Sequence, residues 1–119
     1  MTVSLFQLQL PVRSEELRRH PRLALRRRAW CEHRDWTLYL PVANVSVAGL
    51  FIQTSTPFVT GEPLRVSLAE AGERIVVDVE VVWSSSRGRL PGIGCRFSHM
   101  REGAEHYARL LDNLCLNAR

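Results

Sequence analysis

The sequence predicts a mostly β protein, a six-stranded antiparallel β-barrel (five to seven strands fit the pattern) with a C-terminal α-helix. Apolar and polar residues alternate with a period of two over much of the chain, as in strands that bury one face. Turn residues at Gly61, Gly72 and 84–92 separate these runs at the spacing of a small barrel or sandwich. Only the last segment changes to the helical period.

The first residues predict an N-terminal arm in front of the barrel. Over 6–10, apolar residues alternate with glutamines, a pattern typical of a short edge strand or a docking arm. Ser14 can cap a helical turn, which Pro21 ends because the residue before a proline avoids the helical region. We therefore expect an arm over residues 1–17 and a barrel domain with its helix over residues 18–119.

Runs rich in apolar residues predict the barrel strands, and turn residues bound each run. They are residues 36–42, 50–52, 64–68, 75–83 and 93–97. In the longest run, the apolar side chains from Ile75 to Trp83 occupy alternate positions and so share one face of the strand. Asp78 and Glu80 occupy the opposite face. This alternation places Trp83 with the core residues.

The final segment predicts an amphipathic helix. Its apolar residues recur at the spacing i, i+3, i+4, i+7 and i+8, which forms one stripe on a helix. They are Tyr107, Leu110, Leu111, Leu114 and Cys115. We expect this stripe to cover one opening of the barrel.

Composition indicates a single globular domain inside the cell. The 119 residues suffice for one hydrophobic core, and 45% apolar with 24% charged residues excludes wholesale disorder. Three cysteines form no C-x-x-C pair and no secretion signal is evident, which predicts three buried thiols in a reducing cytoplasm. No run approaches the roughly 20 apolar residues of a membrane span, so we expect a soluble cytoplasmic protein.

Positive charge is concentrated ahead of the predicted barrel. All sixteen basic residues are arginine, and the net charge of +4 conceals seven arginines between Arg18 and Arg34. A guanidinium group presents a planar fork of donors that engages two phosphate oxygens, or O6 and N7 of guanine, together. A solvated basic run explains the same residues without any ligand.

A hexad, Asn44-Val45-Ser46-Val47-Ala48-Gly49, carries polar groups at strand spacing. Asn44 and Ser46 are two positions apart, so in extended chain they project from one face, and both can hydrogen-bond a guanine edge. Gly49 stands where a side chain would crowd a ligand or forbid a positive φ. A turn between strands, held by side-chain hydrogen bonds, explains the same hexad.

The arginine pattern R-R-x-x-R at Arg18, Arg19 and Arg22, followed twenty-two positions later by the hexad on a predicted β-barrel, resembles the PilZ domain family. Members of this family are bacterial receptors for cyclic di-GMP, built on a β-barrel of PilZ type. Residues 81–83 and 92–97 are similar to the late strand pair of the family. The resemblance covers most of the chain. It implies cyclic di-GMP as the ligand of the two motifs, whose residue types can bind phosphate and guanine.

The resemblance implies a binding site for cyclic di-GMP. In this family the arginines clasp the phosphates and guanines, and the first, third and sixth hexad residues contact a guanine. Some members also stack a late-strand tryptophan on a base. The ligand-binding residues implied for this chain are Arg18, Arg19, Arg22, Asn44, Ser46, Gly49 and Trp83.

Two positions qualify this resemblance. The hexad opens with Asn44 where many members have an aspartate, so that negative charge is missing here. Leu17 precedes the first arginine, and an apolar residue at that position is associated with a single bound ligand in the family. The resemblance therefore predicts one cyclic di-GMP per domain.

The resemblance also implies a receptor or adaptor that changes its surface on ligand binding and relays the signal to an unidentified effector protein. We expect the segment from about Arg13 to Arg28 to be mobile without ligand, since like charges repel and few apolar residues anchor it. Two phosphates would neutralise that repulsion and fold the segment onto the hexad. No cofactor is expected beyond the ligand.

Catalysis and metal binding have little support in the sequence. The four histidines form no metal-ligand spacing such as H-x-x-x-H, and no cysteine lies in a cationic nucleophile motif. We therefore expect no enzyme activity, no catalytic residue and no metal ion.

The main alternative is a small basic β-barrel that binds single-stranded nucleic acid, with Trp36, Tyr39 or Trp83 as stacking faces. Against it, the charge outside the arginine-rich segment is balanced, and aromatic residues are not interleaved with the basic run. Nucleic acid is therefore not the partner we expect. A second alternative is a protein adaptor without a ligand, but such family members usually lack the arginine and hexad motifs that this chain has.

Overall fold

The computed structural model describes residues 22–85 and 91–117, and within them it contains six strands and one helix. These are β1 (Leu23–Glu32), β2 (Thr37–Val45), β3 (Gly49–Gln53), β4 (Pro63–Glu70), β5 (Glu73–Ser85), β6 (Gly92–Glu102) and α1 (Ala104–Asn117). The predicted arm at 1–17, with its edge strand and helical turn, lies outside the described residues. The predicted site residues Arg18 and Arg19 lie outside them as well.

The six strands close into one barrel in the order β1-β2-β3-β6-β5-β4, and β4 pairs with β1. Every neighbouring pair is antiparallel. Because each strand of a closed barrel is paired on both sides, the backbone hydrogen bonding of the sheet continues around the ring. The predicted six-stranded antiparallel barrel with a C-terminal helix is confirmed.

Residues 23–28 were expected to be part of a mobile segment. They belong to β1 instead, so that expectation is wrong for these residues. Leu25 and Ala29 are buried in the core, whereas the three arginines between them are exposed. A register shift against β2, between Ala24 and Arg27, marks a β-bulge in this stretch. The bulge breaks the alternation of apolar and polar residues, so the sequence pattern of a strand is hidden here.

The core is formed by apolar side chains that point inward from all six strands. Its most deeply buried members include Ala29, Cys31, Val45, Ile52, Val66, Val79, Val81, Ile93 and Phe97. Burying each of the larger aliphatic or aromatic side chains contributes about 1.5–3 kcal/mol. The core therefore fixes the barrel wall on which the polar and charged residues of the candidate site stand.

α1 packs its apolar stripe against the same core. Tyr107, Leu110 and Leu111 are buried there, and Leu114 packs against the cluster, as the helical period predicts. The last member of the stripe, Cys115, is exposed instead. Within the described part of the chain, no helix is long and apolar enough to cross a membrane.

The cysteines divide into two buried thiols and one exposed thiol, so the expectation of three buried thiols is wrong. Burial raises the pKa of Cys31 to about 12. Burial, together with repulsion from Cys31, raises the pKa of Cys95 further. Both thiols are therefore neutral core groups at physiological pH.

Trp83 lies on the outside of the barrel, so its predicted place among the core residues is wrong. Val81 pairs with Cys95 of β6, whereas Trp83 pairs with the adjacent Gly94. Neighbouring residues of a strand face opposite sides of the sheet, and Val81 is fully buried with Cys95. Val82 is thus the extra residue of a β-bulge, which turns Trp83 to the outer surface.

Candidate functional site

Four of the predicted site residues lie around one surface cleft at the turn between β2 and β3. Arg22 directly precedes β1, Asn44 lies near the end of β2, and Ser46 and Gly49 begin and end the turn. Arg22 and Asn44 are far apart in sequence, but the pairing of β1 with β2 brings them together. The other residues that line the cleft are Leu50, Gly94 and Cys95.

Ser46 holds the turn in shape through local hydrogen bonds. Its Oγ accepts hydrogen bonds from the N–H groups of Ala48 and Gly49, both at 3.2 Å. The Ser46 hydroxyl donates to the Gly49 carbonyl oxygen at 3.3 Å, and its N–H donates to the same oxygen at 2.8 Å. The residue is 5% exposed. The turn chemistry that the sequence left as an alternative therefore describes Ser46 in this structure.

Tyr107 of α1 fixes the turn from the core side. Its hydroxyl donates to the Ser46 carbonyl oxygen at 2.7 Å, and its ring packs edge-on against Phe97 at 5.3 Å between centroids. The N–H of Phe97 in turn donates to the Ala48 carbonyl oxygen at 2.9 Å. Burial raises the pKa of Tyr107 far above its ordinary value, so the hydroxyl stays a donor.

This role of Tyr107 was not predicted, because the helical period explains the residue as part of the apolar stripe. A signal for it exists in the sequence. Tyr107 carries the hydroxyl in an otherwise apolar stripe, and a buried tyrosine hydroxyl usually finds a hydrogen-bond partner.

Trp83 and Phe51 form an aromatic platform beside the cleft. Their rings stack with centroids 5.3 Å apart and an interplanar angle of 24°. Gly94 lies under the indole, where a Cβ would overlap Nε1 and Cε2 of Trp83, and a Cβ at Gly92 would overlap the Phe51 ring. The two glycines therefore let both rings lie flat against β6. The spacing G-x-G on one strand face is the signal that the sequence offered for this platform.

Arg22 links the platform to the cleft. Its guanidinium carbon lies 6.0 Å from the centroid of a Trp83 ring, at the limit of a cation–π contact. The side chain is exposed, and it makes no ion pair with any residue of 22–85 or 91–117. Its fork of N–H donors is therefore directed at solvent, where an anion can reach it.

The cleft is too small to enclose a nucleotide. Its volume is about 10 Å³, which is room for one water molecule. The barrel interior is filled by core side chains. We call the surface around the cleft, formed by Arg22, residues 44–49 and Trp83, the hexad face.

Several arginines of β4 and β6 form ion pairs with carboxylates of β5. Arg65 of β4 and Arg101 of β6 both bind Asp78 of β5, and Arg96 binds Glu80 at 2.7 Å. In the described part of the chain, no three histidine, cysteine or acidic side chains are grouped so that they could hold a metal ion.

A family model places most of the chain in a known group of domains. The model of the PilZ domain matches residues 16–116, which includes all six strands and nearly the whole of α1. A search of curated proteins finds no match.

Solved structures share the fold. The inhibitor of motility MotI/DgrA of Bacillus subtilis superposes with a TM-score of 0.68 at 15% identity, over 92% of this chain and 54% of that one. MrkH of K. pneumonia in complex with c-di-GMP gives a TM-score of 0.66 at 22% identity, again over 92% and 54%. The apo state of MrkH gives 0.62 at 20% identity, over 91% and 54%. The chain thus spans about half the length of these proteins, and the likeness shows the fold.

Proposed function

The chain belongs to the PilZ domain family, and on that premise we propose that it is a receptor for cyclic di-GMP, which it binds on the hexad face. The structural neighbour MrkH was solved as a c-di-GMP complex, which supports the choice of ligand. The observation that carries the proposal is the convergence of Arg22, the hexad turn and Trp83 on one surface, although these residues are spread over 62 positions of the sequence.

We assign each residue a part according to its geometry. Arg22 has free N–H donors for phosphate or for the O6 and N7 edge of guanine. Asn44 is partly exposed and offers a donor and an acceptor to a guanine edge. Gly49 permits close approach of the ligand to the backbone, and the platform of Trp83 on Phe51 offers a stacking surface.

Ser46 has an indirect part in this proposal. Its hydroxyl is buried and already accepts two hydrogen bonds and donates one inside the turn, which fills its capacity. It therefore supports ligand binding by holding Asn44 and Gly49 in place. Arg18 and Arg19, which lie outside the described residues, remain predicted clasps for the phosphates.

We further propose that the bound receptor is a relay rather than an enzyme, and that it works in the cytoplasm. Ligand phosphates would draw the arginines that precede β1 onto the hexad face, and an effector protein would recognise the changed surface. Since residues 23–28 belong to β1, this change is confined to residues before Leu23. A single ligand per domain remains the predicted stoichiometry.

Isothermal titration calorimetry of the whole chain with cyclic di-GMP tests the proposal. We expect one ligand per chain, and a loss of about tenfold to a hundredfold in affinity for Arg22→Ala, since a hydrogen bond to a charged group contributes about 1.5–3 kcal/mol. Arg74→Ala is the matched control, because Arg74 is an exposed arginine on β5 that is held only loosely by Glu102 at 3.9 Å.

Two results would contradict the proposal. One is the absence of heat from folded protein at micromolar concentration. The other is an affinity for oligothymidylate that exceeds the affinity for cyclic di-GMP and collapses with salt, which is the behaviour of a nucleic-acid binder.

A further inference from the structure

A second cationic surface borders the hexad face. It is a groove of about 550 Å³ lined by residues of β1, β2 and β3. We call it the β1–β3 groove, and the lining residues used below are Ala24, Arg26, Arg28, Pro41, Ala43 and Gln53. Ala24 of the groove pairs with Asn44 of the hexad, so the two surfaces are contiguous.

The groove arises from two irregularities in the sheet. The register of β1 against β2 shifts between Ala24 and Arg27, and the register of β2 against β3 shifts between Val42 and Asn44. Bulges bend a strand and leave backbone groups outside the regular ladder. Small side chains such as Ala24 and Ala43 line the resulting depression, so an extended chain can approach the barrel backbone there.

An exposed aromatic pair lies next to the groove along β1. Trp30 and Tyr39 are 51% and 49% exposed, and their rings pack on each other with centroids 4.7 Å apart. The guanidinium carbon of Arg28 lies 6.0 Å from the Tyr39 ring. Large exposed aromatic side chains beside an arginine are typical of protein interfaces.

The arginines of the groove are only partly neutralised. Arg27 forms an ion pair with Glu70 at 3.0 Å, and Arg28 donates to the Tyr39 carbonyl oxygen at 3.3 Å. Arg26 is exposed and has no ion pair or hydrogen bond with any side chain of residues 22–85 or 91–117. Two guanidinium groups, those of Arg26 and Arg28, thus face solvent with donors to spare.

The size of this cationic stretch indicates its partner. From Arg26 to Trp30 the strand rises only about 13 Å, at about 3.3 Å per residue. Glu32 on β1 places a carboxylate at its border, and the carboxylate of Glu70 on β4 already pairs with Arg27. A long polyanion that follows its own phosphate backbone would meet Glu32, whereas a short acidic peptide would not.

We propose that the β1–β3 groove docks a short, extended, acidic segment of a partner protein. Carboxylates of that segment pair with Arg26 and Arg28, and an adjacent apolar side chain packs on Trp30 and Tyr39. The proposal states the chemistry of the segment that the effector protein would present, and its biological meaning rests on the proposed function. Binding of an acidic segment to the groove does not depend on cyclic di-GMP.

Fluorescence anisotropy of the whole chain with a labelled peptide tests this inference. The probe is a short peptide in which glutamate alternates with leucine, and the control probe has glutamine in place of glutamate. The variants are the double variant Arg26→Gln/Arg28→Gln and, separately, Trp30→Ser. Arg74→Gln is the control for a lost charge elsewhere on the surface, and circular dichroism verifies that each variant is folded.

We expect the acidic peptide to bind, the glutamine peptide to bind at least about tenfold more weakly, and each groove variant to lose about tenfold in affinity, which corresponds to about 1.4 kcal/mol. Arg74→Gln should bind as the original chain does. Equal binding by all folded variants, or no binding of the acidic peptide, would overturn the inference.

Two further outcomes would also overturn it. Labelled oligothymidylate that binds more tightly than the peptide, and is lost in the same variants, would make the groove a nucleic-acid surface. Sedimentation that shows a dimer dissociated by Trp30→Ser would make the occupant a second copy of the chain. The ligand proposal is tested apart from this one, because Arg22→Ala should keep peptide binding and the groove variants should keep the heat of cyclic di-GMP binding.

Discussion

The two sides of the barrel use the same kind of residue in opposite ways. On the side of β4, β5 and β6, Arg65 and Arg101 share the carboxylate of Asp78. Arg74 and Arg96 likewise have a carboxylate on the neighbouring strand, Glu102 and Glu80 respectively. Such surface pairs contribute only about 0–1 kcal/mol each, but they leave this wall with little charge for a partner.

On the side of β1, β2 and β3, Arg22 and Arg26 face solvent, whereas their neighbour Arg27 is paired with Glu70 of β4. Arg22 lies over Trp83, and Arg26 has no ion pair within residues 22–85 and 91–117. The difference teaches that the number of arginines says little about function. What matters is whether a neighbouring residue supplies a carboxylate, as Glu70 does for Arg27, and the hexad itself contains none.

The largest effect expected on this comparison comes from Gly94→Ala. Its Cβ would overlap Nε1 of Trp83 and push the indole off the wall, so we expect ligand affinity to fall about tenfold, since base–aromatic stacking contributes about 1–3 kcal/mol. Overpacking should also lower the free energy of unfolding by about 1–3 kcal/mol. Calorimetry and urea denaturation measure the two effects.

Gly72→Ala is the control for this variant. Gly72 has a φ of +79° and no atom within 4 Å of a Cβ, so alanine strains the backbone far from the hexad face. It should destabilise the chain by about 1 kcal/mol and leave ligand affinity unchanged. A similar affinity for both variants would refute the stacking role of Trp83.

A smaller effect on affinity is expected from Tyr107→Phe, which removes the hydroxyl that holds the hexad turn. The Ser46 carbonyl oxygen would lose its buried donor, so the free energy of unfolding should fall by about 1–3 kcal/mol. Because Asn44 and Gly49 would be less well positioned, ligand affinity should fall by about threefold. Tyr39→Phe is the control, since its exposed hydroxyl has no comparable bond within the described residues. A loss of stability with no change in affinity would show that the turn needs no support from α1.

The smallest effect is expected from Asp78→Asn, which frees the two arginines that share this carboxylate. Stability should fall by no more than about 1 kcal/mol, because both ion pairs are at the surface. The surface around Asp78 would then be cationic without a hexad. We expect the affinity of the Asp78→Asn variant for cyclic di-GMP, measured by calorimetry, to stay within about twofold of the affinity of the unchanged chain. A second equivalent of bound ligand would show that exposed arginine alone suffices for binding.

Much of the fold could be predicted from the sequence, because period-two alternation and turn residues determine regular strands. The barrel and its helix follow from these patterns. The whole of β1 (Leu23–Glu32) was missed, since a bulge and three consecutive arginines conceal its buried residues. The face of Trp83 was wrong for the same kind of reason, because one extra residue, Val82, reverses the side on which every later side chain lies.

The residues of the candidate site come from the motif and stay predictions, whereas part of their support was not predicted. The motif indicated Asn44, Ser46 and Gly49, and a turn held by side-chain hydrogen bonds was already an alternative explanation of the hexad. The contact from Tyr107 to Ser46 spans 61 residues, and such a contact depends on how the helix packs rather than on local spacing. The predicted contacts of Arg18 and Arg19 stay predictions.

The most direct test of the central claim is a titration of the isotope-labelled chain with cyclic di-GMP, followed by heteronuclear NMR. We expect the largest chemical-shift changes at the backbone amides of residues 44–49 and Gly94 and at the indole N–H of Trp83, with small changes around Asp78. Largest changes around Asp78 and Arg101, or no changes at saturating ligand, would contradict it.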